Sequence, residues 1–101
     1  MADWTWVFEP DADNVVGDTP GGANLSAQDR LAVEKIAQEL ADAAAVKHIG
    51  PIEYGTSGIS KVLTYARGPY LLWFLEDQRG DGEGIDDGPC VRILKVAVWP
   101  V

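Results

Sequence analysis

The fold is decided by residues 61–76, which read KVLTYARGPYLLWFLE. Two runs rich in β-branched and aromatic residues, 61–66 and 70–76, flank the tight-turn sequence Arg67-Gly68-Pro69. This pattern predicts an antiparallel hairpin. The second run is apolar on both faces, which a half-solvated edge strand could not sustain. We therefore expect that strand to lie centrally, with one face under a helix and the other covered by a loop, a partner or a second copy.

Further strand-like sequence lies on both sides of the hairpin. Residues 91–99 are a third run for the same sheet, and the acidic, glycine-rich residues 77–89 before them predict a long loop. The three runs together predict a three-stranded antiparallel meander. Near the start, residues 4–8 read WTWVF, and their alternating aromatics predict a half-buried strand. Residues 10–25 then predict a second long loop, with one helical turn at its start.

One long amphipathic helix is predicted over about residues 26–47. The Ser26 hydroxyl can accept a hydrogen bond from the amide three residues on, and Gly50-Pro51 prevents further winding. Apolar side chains recur at helical spacing opposite a charged face. They are Val33, Ile36, Ala37, Leu40 and Ala44. The sequence therefore predicts a single α+β domain over residues 1–101, with the helix packed on one face of the sheet.

The charge of the chain restricts its partners. The 101 residues carry a net charge of −8, and the sequence pI is about 4.3. The negative electrostatic potential that this charge produces disfavours binding to nucleic acids and anionic membranes. The acidity is local, because residues 1–18 and 76–87 each carry −5 and the remainder is +2. RNA is therefore disfavoured near those two segments more than elsewhere.

The sequence predicts no metal site and no cofactor. Laid on the calcium loop of an EF-hand, residues 77–88 place Arg79 where an oxygen ligand is needed and Gly88 where the bidentate Glu should stand. His48 and Cys90 are the only residues of their types, which excludes a conventional zinc site. A lone cysteine cannot form an internal disulfide, and no signal peptide or membrane-spanning run is recognised. We therefore expect a cytoplasmic protein without a membrane partner.

Three aromatic residues are candidates for contact with a ligand or partner. Tyr65 and Tyr70 flank the hairpin turn, and Trp99 follows the last strand-like run. The other aromatics alternate or sit in apolar runs, which indicates core positions. Lys61, Arg67 and Arg92 are the basic residues expected nearest to a possible binding groove.

Residues 63–74, an acidic turn and residues 91–96, which read VRILKV, follow a strand and a long helix. This order resembles the RelE/ParE superfamily of bacterial toxins, which are small single-domain members of toxin–antitoxin pairs. The resemblance covers roughly residues 4–99 and consists of general hairpin patterns. It implies the same strand, helix and meander architecture.

The resemblance also implies a role for one residue. The ribosome-dependent nucleases of the superfamily have an arginine at the position of Arg67, where it would bind the scissile phosphate. Their second basic residue would fall at Trp99-Pro100, and the chain ends at Val101 before the Tyr or His that often follows. Arg67 alone can position a phosphate but cannot move a proton. We therefore expect an incomplete nuclease site.

Two functions follow from this reading. The first is a toxin-like component of a bacterial toxin–antitoxin pair, with Arg67 positioning a phosphate and Lys61, Tyr65, Tyr70, Arg92 and Trp99 binding the substrate. The second is a non-catalytic module for protein binding or dimerisation, since the strand at residues 70–75 is apolar on both faces and both must be shielded from water. The expected partner is a protein, either antitoxin-like or a second copy, and RNA or the ribosome is the alternative that the charge disfavours. Calcium binding by the acidic loop is a third, weaker hypothesis.

Overall fold

A computed structural model describes residues 4–9, 11–18, 22–47, 59–78 and 89–99. Its elements in chain order are β1 (Thr5–Phe8), α1 (Ala12–Val15), α2 (Ala27–Lys47), β2 (Leu63–Arg67), β3 (Tyr70–Asp77) and β4 (Cys90–Val98). The four strands form one sheet in the order β1-β4-β3-β2. The α+β class and the element order predicted from the sequence are confirmed.

The predicted meander is present only as part of a larger, mixed sheet. The β2–β3 and β3–β4 pairs are antiparallel, but β1 joins the sheet as a parallel neighbour of β4. Parallel neighbours need a long crossover, and α2 lies in the connection that follows β1. The last strand therefore lies inside the sheet, where it is paired on both sides.

The position of β3 confirms the expectation drawn from its two apolar faces. It is an internal strand, paired with β2 on one edge and with β4 on the other. The turn before it contains Gly68, whose φ of 59° is unfavourable for other residues, and Pro69, whose ring holds φ near −65°. This combination fits a type II′ hairpin turn, which matches the twist of the flanking strands.

A register shift in β4 adjusts which residues reach the core. The β3–β4 pairing is irregular between Trp73 and Phe74, which face Lys95 and Ile93 and leave Leu94 as an extra residue. Ile93 and Val96 are consequently both buried although they stand three residues apart. Strict alternation would have placed one of them on the opposite face.

The long helix begins and ends as its sequence indicates. The Asp29 amide donates to Ser26 Oγ at 3.1 Å, and α2 ends at Lys47. The turn α1 confirms the predicted helical turn, with Asp11 accepting from the Asn14 amide at 2.9 Å. The loop predicted at 77–89 lies largely outside the described residues, because β3 ends at Asp77 and the description resumes at residue 89. His48 also lies outside them.

Among the described residues, one core cluster holds both helices against one face of the sheet. From the strands it takes alternate residues of one face, including Leu72, Phe74 and Ile93, and from α2 the predicted apolar stripe. The buried residues of α1 and its C-cap, Val15 and Val16, belong to the same cluster. No helix within the described ranges is long and apolar enough to span a membrane.

Candidate functional site

A groove of about 290 Å³ opens between α2 and the β2–β3 turn. Its lining comes from one face of the helix and from the four residues of the turn. These are Ala32, Lys35, Ile36, Glu39, Arg67, Gly68, Pro69 and Tyr70. The groove brings together sequence positions more than 25 residues apart, because the turn end of the hairpin lies beside the first half of α2.

Two side-chain bridges connect the turn to the helix. The Tyr70 hydroxyl donates to Asp29 Oδ1 at 2.7 Å, and Arg67 Nη1 donates to Glu39 Oε1 at 2.9 Å. Arg67 and Tyr70 are directly paired in the hairpin. Their acceptors stand ten residues apart on α2, which corresponds to about 15 Å along the helix axis. The two side chains therefore diverge, and the groove lies between them.

The groove carries a positive charge that pH does not remove. A hydrogen bond with the Tyr65 hydroxyl and the nearby charge of Glu39 raise the pKa of Arg67, so the guanidinium stays charged throughout the physiological range. Both partners of the Arg67–Glu39 pair are about half exposed, with side-chain exposures of 56% and 44%. Exposed pairs of this kind are weak, so Glu39 can give way to another anion.

The neighbouring tyrosine is held in its neutral form. The hydrogen bond to Asp29 raises the pKa of Tyr70, with a smaller contribution from desolvation. The hydroxyl therefore remains a donor at neutral pH and continues to join β3 to the start of α2.

Four of the six residues predicted as site residues lie around the turn. Arg67 and Tyr70 line the groove, and Tyr65 lies close enough to Arg67 to raise its pKa. Trp99 is 58% exposed, and its amide donates to the Pro69 carbonyl at 2.7 Å. The β2–β3 turn and the residue after β4 therefore lie together at one end of the sheet.

The other two predicted residues lie elsewhere. Lys61 is exposed and precedes β2, near the end of β3 that is opposite to Tyr70, because Ser60 bonds there to Glu76. Arg92 lies on the sheet face that is turned away from α2. The structure therefore does not bring Lys61 or Arg92 to the groove.

Arg92 is instead the centre of an ion-pair network across three strands. Its Nε donates to Asp77 Oδ2 at 2.9 Å and its Nη1 to Glu9 Oε1 at 3.0 Å. Burial lowers the pKa of Arg92, but the hydrogen bond to Asp77 and the surrounding negative charges outweigh it, and the pKa is raised. With its charge shared between two carboxylates, Arg92 joins β4 to β3 and to Glu9, the residue after β1.

Sequence reasoning missed the helical half of the groove. Lys35 and Glu39 belong to the charged face of α2, and they border the apolar stripe at Ile36. Opposite charges four residues apart beside that stripe were the available signal. No spacing rule pairs them with Arg67, because that contact depends on how the helix lies across the sheet.

A second surface of interest is the sheet face turned away from α2. Here it is called the open face, and it contains Leu71, Trp73 and Leu75 of β3, with Lys95 of β4 beside them. The Lys95 ammonium lies 5.1 Å from the centre of the Trp73 ring, a cation–π contact. All buried residues of the two helices lie on the other face, so neither described helix covers this one.

Among the described residues, no group of three His, Cys, Asp or Glu side chains is arranged to hold a metal ion. Comparison with known proteins gives no relative: no family model, curated protein or solved structure matches the chain.

Proposed function

We propose that this chain is a non-catalytic protein-binding module that docks its partner on the open face of the sheet. The observation that supports the proposal is the row of Leu71, Trp73 and Leu75 along an internal strand, on the face that the described helices leave uncovered. These side chains are only partly buried. A row of apolar side chains that each keep part of their surface accessible offers a partner further apolar area to bury.

The composition of the open face suits a stable contact. Trp73 lies in the middle of the row, and tryptophan is among the residues that contribute most to binding energy when a partner excludes water around it. Lys95 covers part of the Trp73 ring and gives the face a polar margin. The sheet beneath is internal at β3 and β4, so the surface is held rigid before a partner arrives.

The variant Leu71→Asp tests this function by placing a charge in the row. We expect the wild-type protein either to exceed the monomer mass in light scattering at high micromolar concentration or to retain a defined partner in a pull-down. Leu71→Asp should abolish whichever is found and keep the far-ultraviolet circular dichroism of the wild type.

Leu31→Asp is the matched control, because Leu31 is 67% exposed on α2 and lies away from the open face. It should behave as the wild type. The proposal would be contradicted if the wild-type protein were monomeric and retained no partner that Leu71→Asp fails to retain. It would also be contradicted if both variants lost self-association or partner binding equally.

We propose, as a second candidate, a toxin-like component of a bacterial toxin–antitoxin pair, similar to RelE/ParE proteins. Two observations favour it: the strand, helix and hairpin order, and the position of Arg67 in a groove. The Arg67–Glu39 pair weakens it, since the Glu39 carboxylate would repel a dianionic phosphate held on the guanidinium more strongly than a carboxylate of single charge. For either function we place the protein in the cytoplasm, because its single cysteine, Cys90, cannot form an internal disulfide and is buried.

Expression in a bacterial host tests the second candidate. Induction should arrest growth, and Arg67→Ala should restore it while Lys95→Ala, which removes one positive charge outside the groove, should not. Normal growth on induction of the wild-type protein would rule this function out, as would an arrest that Arg67→Ala leaves unchanged.

A further inference from the structure

The groove beside the β2–β3 turn combines an apolar wall with two cations. Ala32, Ile36 and Pro69 supply the apolar surface, and Lys35 and Arg67 supply the positive charges. A complementary ligand has an apolar body that ends in an anionic group. This surface is separate from the open face, so an inference about it goes beyond the protein-binding function proposed above.

Both cations are available to a ligand. Lys35 is exposed and makes no ion pair with any residue in the described part of the chain. Arg67 shares its charge with Glu39 in an exposed pair, which contributes little stability. A guanidinium has five N–H donors, so a second carboxylate can bind beside Glu39 or replace it.

The size and charge of the groove favour a carboxylate over a phosphate. At about 290 Å³ it lies at the small end of ligand pockets, with room for one side chain and its terminal group. Glu39 lines it, and Asp29 lies at its Tyr70 end. Two acidic neighbours repel a dianionic phosphate more strongly than a carboxylate of single charge.

We propose that this groove binds the C-terminal residue of a polypeptide partner, with the terminal carboxylate on Lys35 and Arg67 and an apolar last side chain on Ala32, Ile36 and Pro69. A C-terminal residue presents a carboxylate and a side chain on the same carbon atom, and the groove lining includes both cations and apolar residues. Capture of a terminal carboxylate is an established mode of peptide recognition.

The direct test is an NMR titration of the isotope-labelled protein with acetyl-Gly-Gly-Leu, which ends in a free carboxylate, and with the same peptide ending in an amide. The free acid should shift the amide signals of groove residues and saturate with a dissociation constant on the order of 1 mM, as expected for so small a ligand. The amide should not saturate. Equal binding of the two peptides would overturn the proposal.

Other probes separate the sources of the anion. N-acetyl-leucine and inorganic phosphate are titrated under the same conditions. N-acetyl-leucine should bind with similar affinity to the peptide acid, since it contains the same terminal residue. Saturation by N-acetyl-leucine without saturation by the peptide would show a small-molecule site, and tighter binding of phosphate would favour a nucleic-acid ligand; either outcome rejects the proposal.

Substitutions of the residues that line the groove provide a third test of peptide binding. Lys35→Ala and Arg67→Ala should each lower the affinity for the peptide acid about 3- to 10-fold. Glu39→Gln should raise this affinity about 2- to 5-fold, because it frees Arg67. Lys95→Ala removes the same charge as Lys35→Ala but from the open face, and should change the affinity less than about 2-fold. Tighter binding cannot result from partial unfolding. An unchanged or weaker affinity in Glu39→Gln would therefore refute the proposal, and so would an equal effect of Lys35→Ala and Lys95→Ala.

Discussion

Arg67 and Tyr70 are paired across the β2–β3 turn, yet their side chains bind carboxylates that stand ten residues apart on α2. The turn is thereby held to the helix at two points, with the groove between them. This arrangement makes the hairpin tip a positioned surface rather than a free end.

The Tyr70 bridge predicts a dependence of stability on alkaline pH. Its pKa is raised in the folded protein, so the fold keeps the phenolic proton longer than the unfolded chain does. The stabilising contribution is complete below the unfolded pKa of about 10 and is lost as pH rises through the folded pKa. Urea unfolding between pH 8 and 11 should show that the free energy of unfolding falls more steeply with pH for the wild-type protein than for Tyr70→Phe. Parallel curves for the two proteins would contradict the prediction.

Leu71 and Leu72 form a natural matched pair, since they are adjacent in β3 and point to opposite faces of the sheet. Leu72 is fully buried in the core, whereas Leu71 is partly buried on the open face. Leu72→Ala should lower the free energy of unfolding by about 2 to 5 kcal/mol through lost burial and the cavity left behind. Leu71→Ala should lower it by less than about 1.5 kcal/mol. Equilibrium urea unfolding measures both, and equal losses would show that the open face is packed like the core.

Removal of Arg92 should destabilise the sheet. Asp77 is only 2% exposed and would keep a buried charge with less compensation. Because Arg92 itself is partly exposed, we expect Arg92→Met to reduce the free energy of unfolding by about 2 to 3 kcal/mol. The double variant Arg92→Met with Asp77→Asn should recover part of that loss. A double variant as unstable as the sum of the single variants would exclude coupling between the two groups.

Gly68 should resist substitution for a conformational reason alone. An added Cβ would meet nothing within 4 Å, but the φ of 59° is unfavourable for an L side chain. Gly68→Ala should therefore lower the unfolding free energy by about 1 kcal/mol. Gly68→Asn should lower it less, because asparagine tolerates the left-handed region. Thermal or urea unfolding measures the order of stability of the wild-type protein and the two variants. A Gly68→Asn variant less stable than Gly68→Ala would contradict the prediction.

The open-face proposal and the groove proposal depend on different residues, so different variants test them. Leu71→Asp addresses the open face and should leave peptide binding in the groove unchanged. Lys35→Ala addresses the groove and should leave partner retention unchanged. Each proposal can therefore fail without affecting the other.

The sequence by itself determined the local elements. Residue spacing predicted α2 to within one residue at its start, and the Ser26 cap explains that boundary. The turn residues Gly68 and Pro69 predicted the hairpin, and the two-faced apolar run predicted that β3 is internal. These features depend on backbone conformation and on side-chain periodicity, which are properties of neighbouring residues.

Only the tertiary structure decided how distant segments meet. Nothing local to residues 4–8 shows that β1 pairs in parallel with β4, and nothing local to Arg92 shows that Glu9 and Asp77 take its charge. The groove likewise exists because core packing lays α2 across the sheet at one position, which brings Lys35 and Glu39 to Arg67. Contacts between segments depend on the packing of the whole core, and a periodic pattern along one segment does not contain that information.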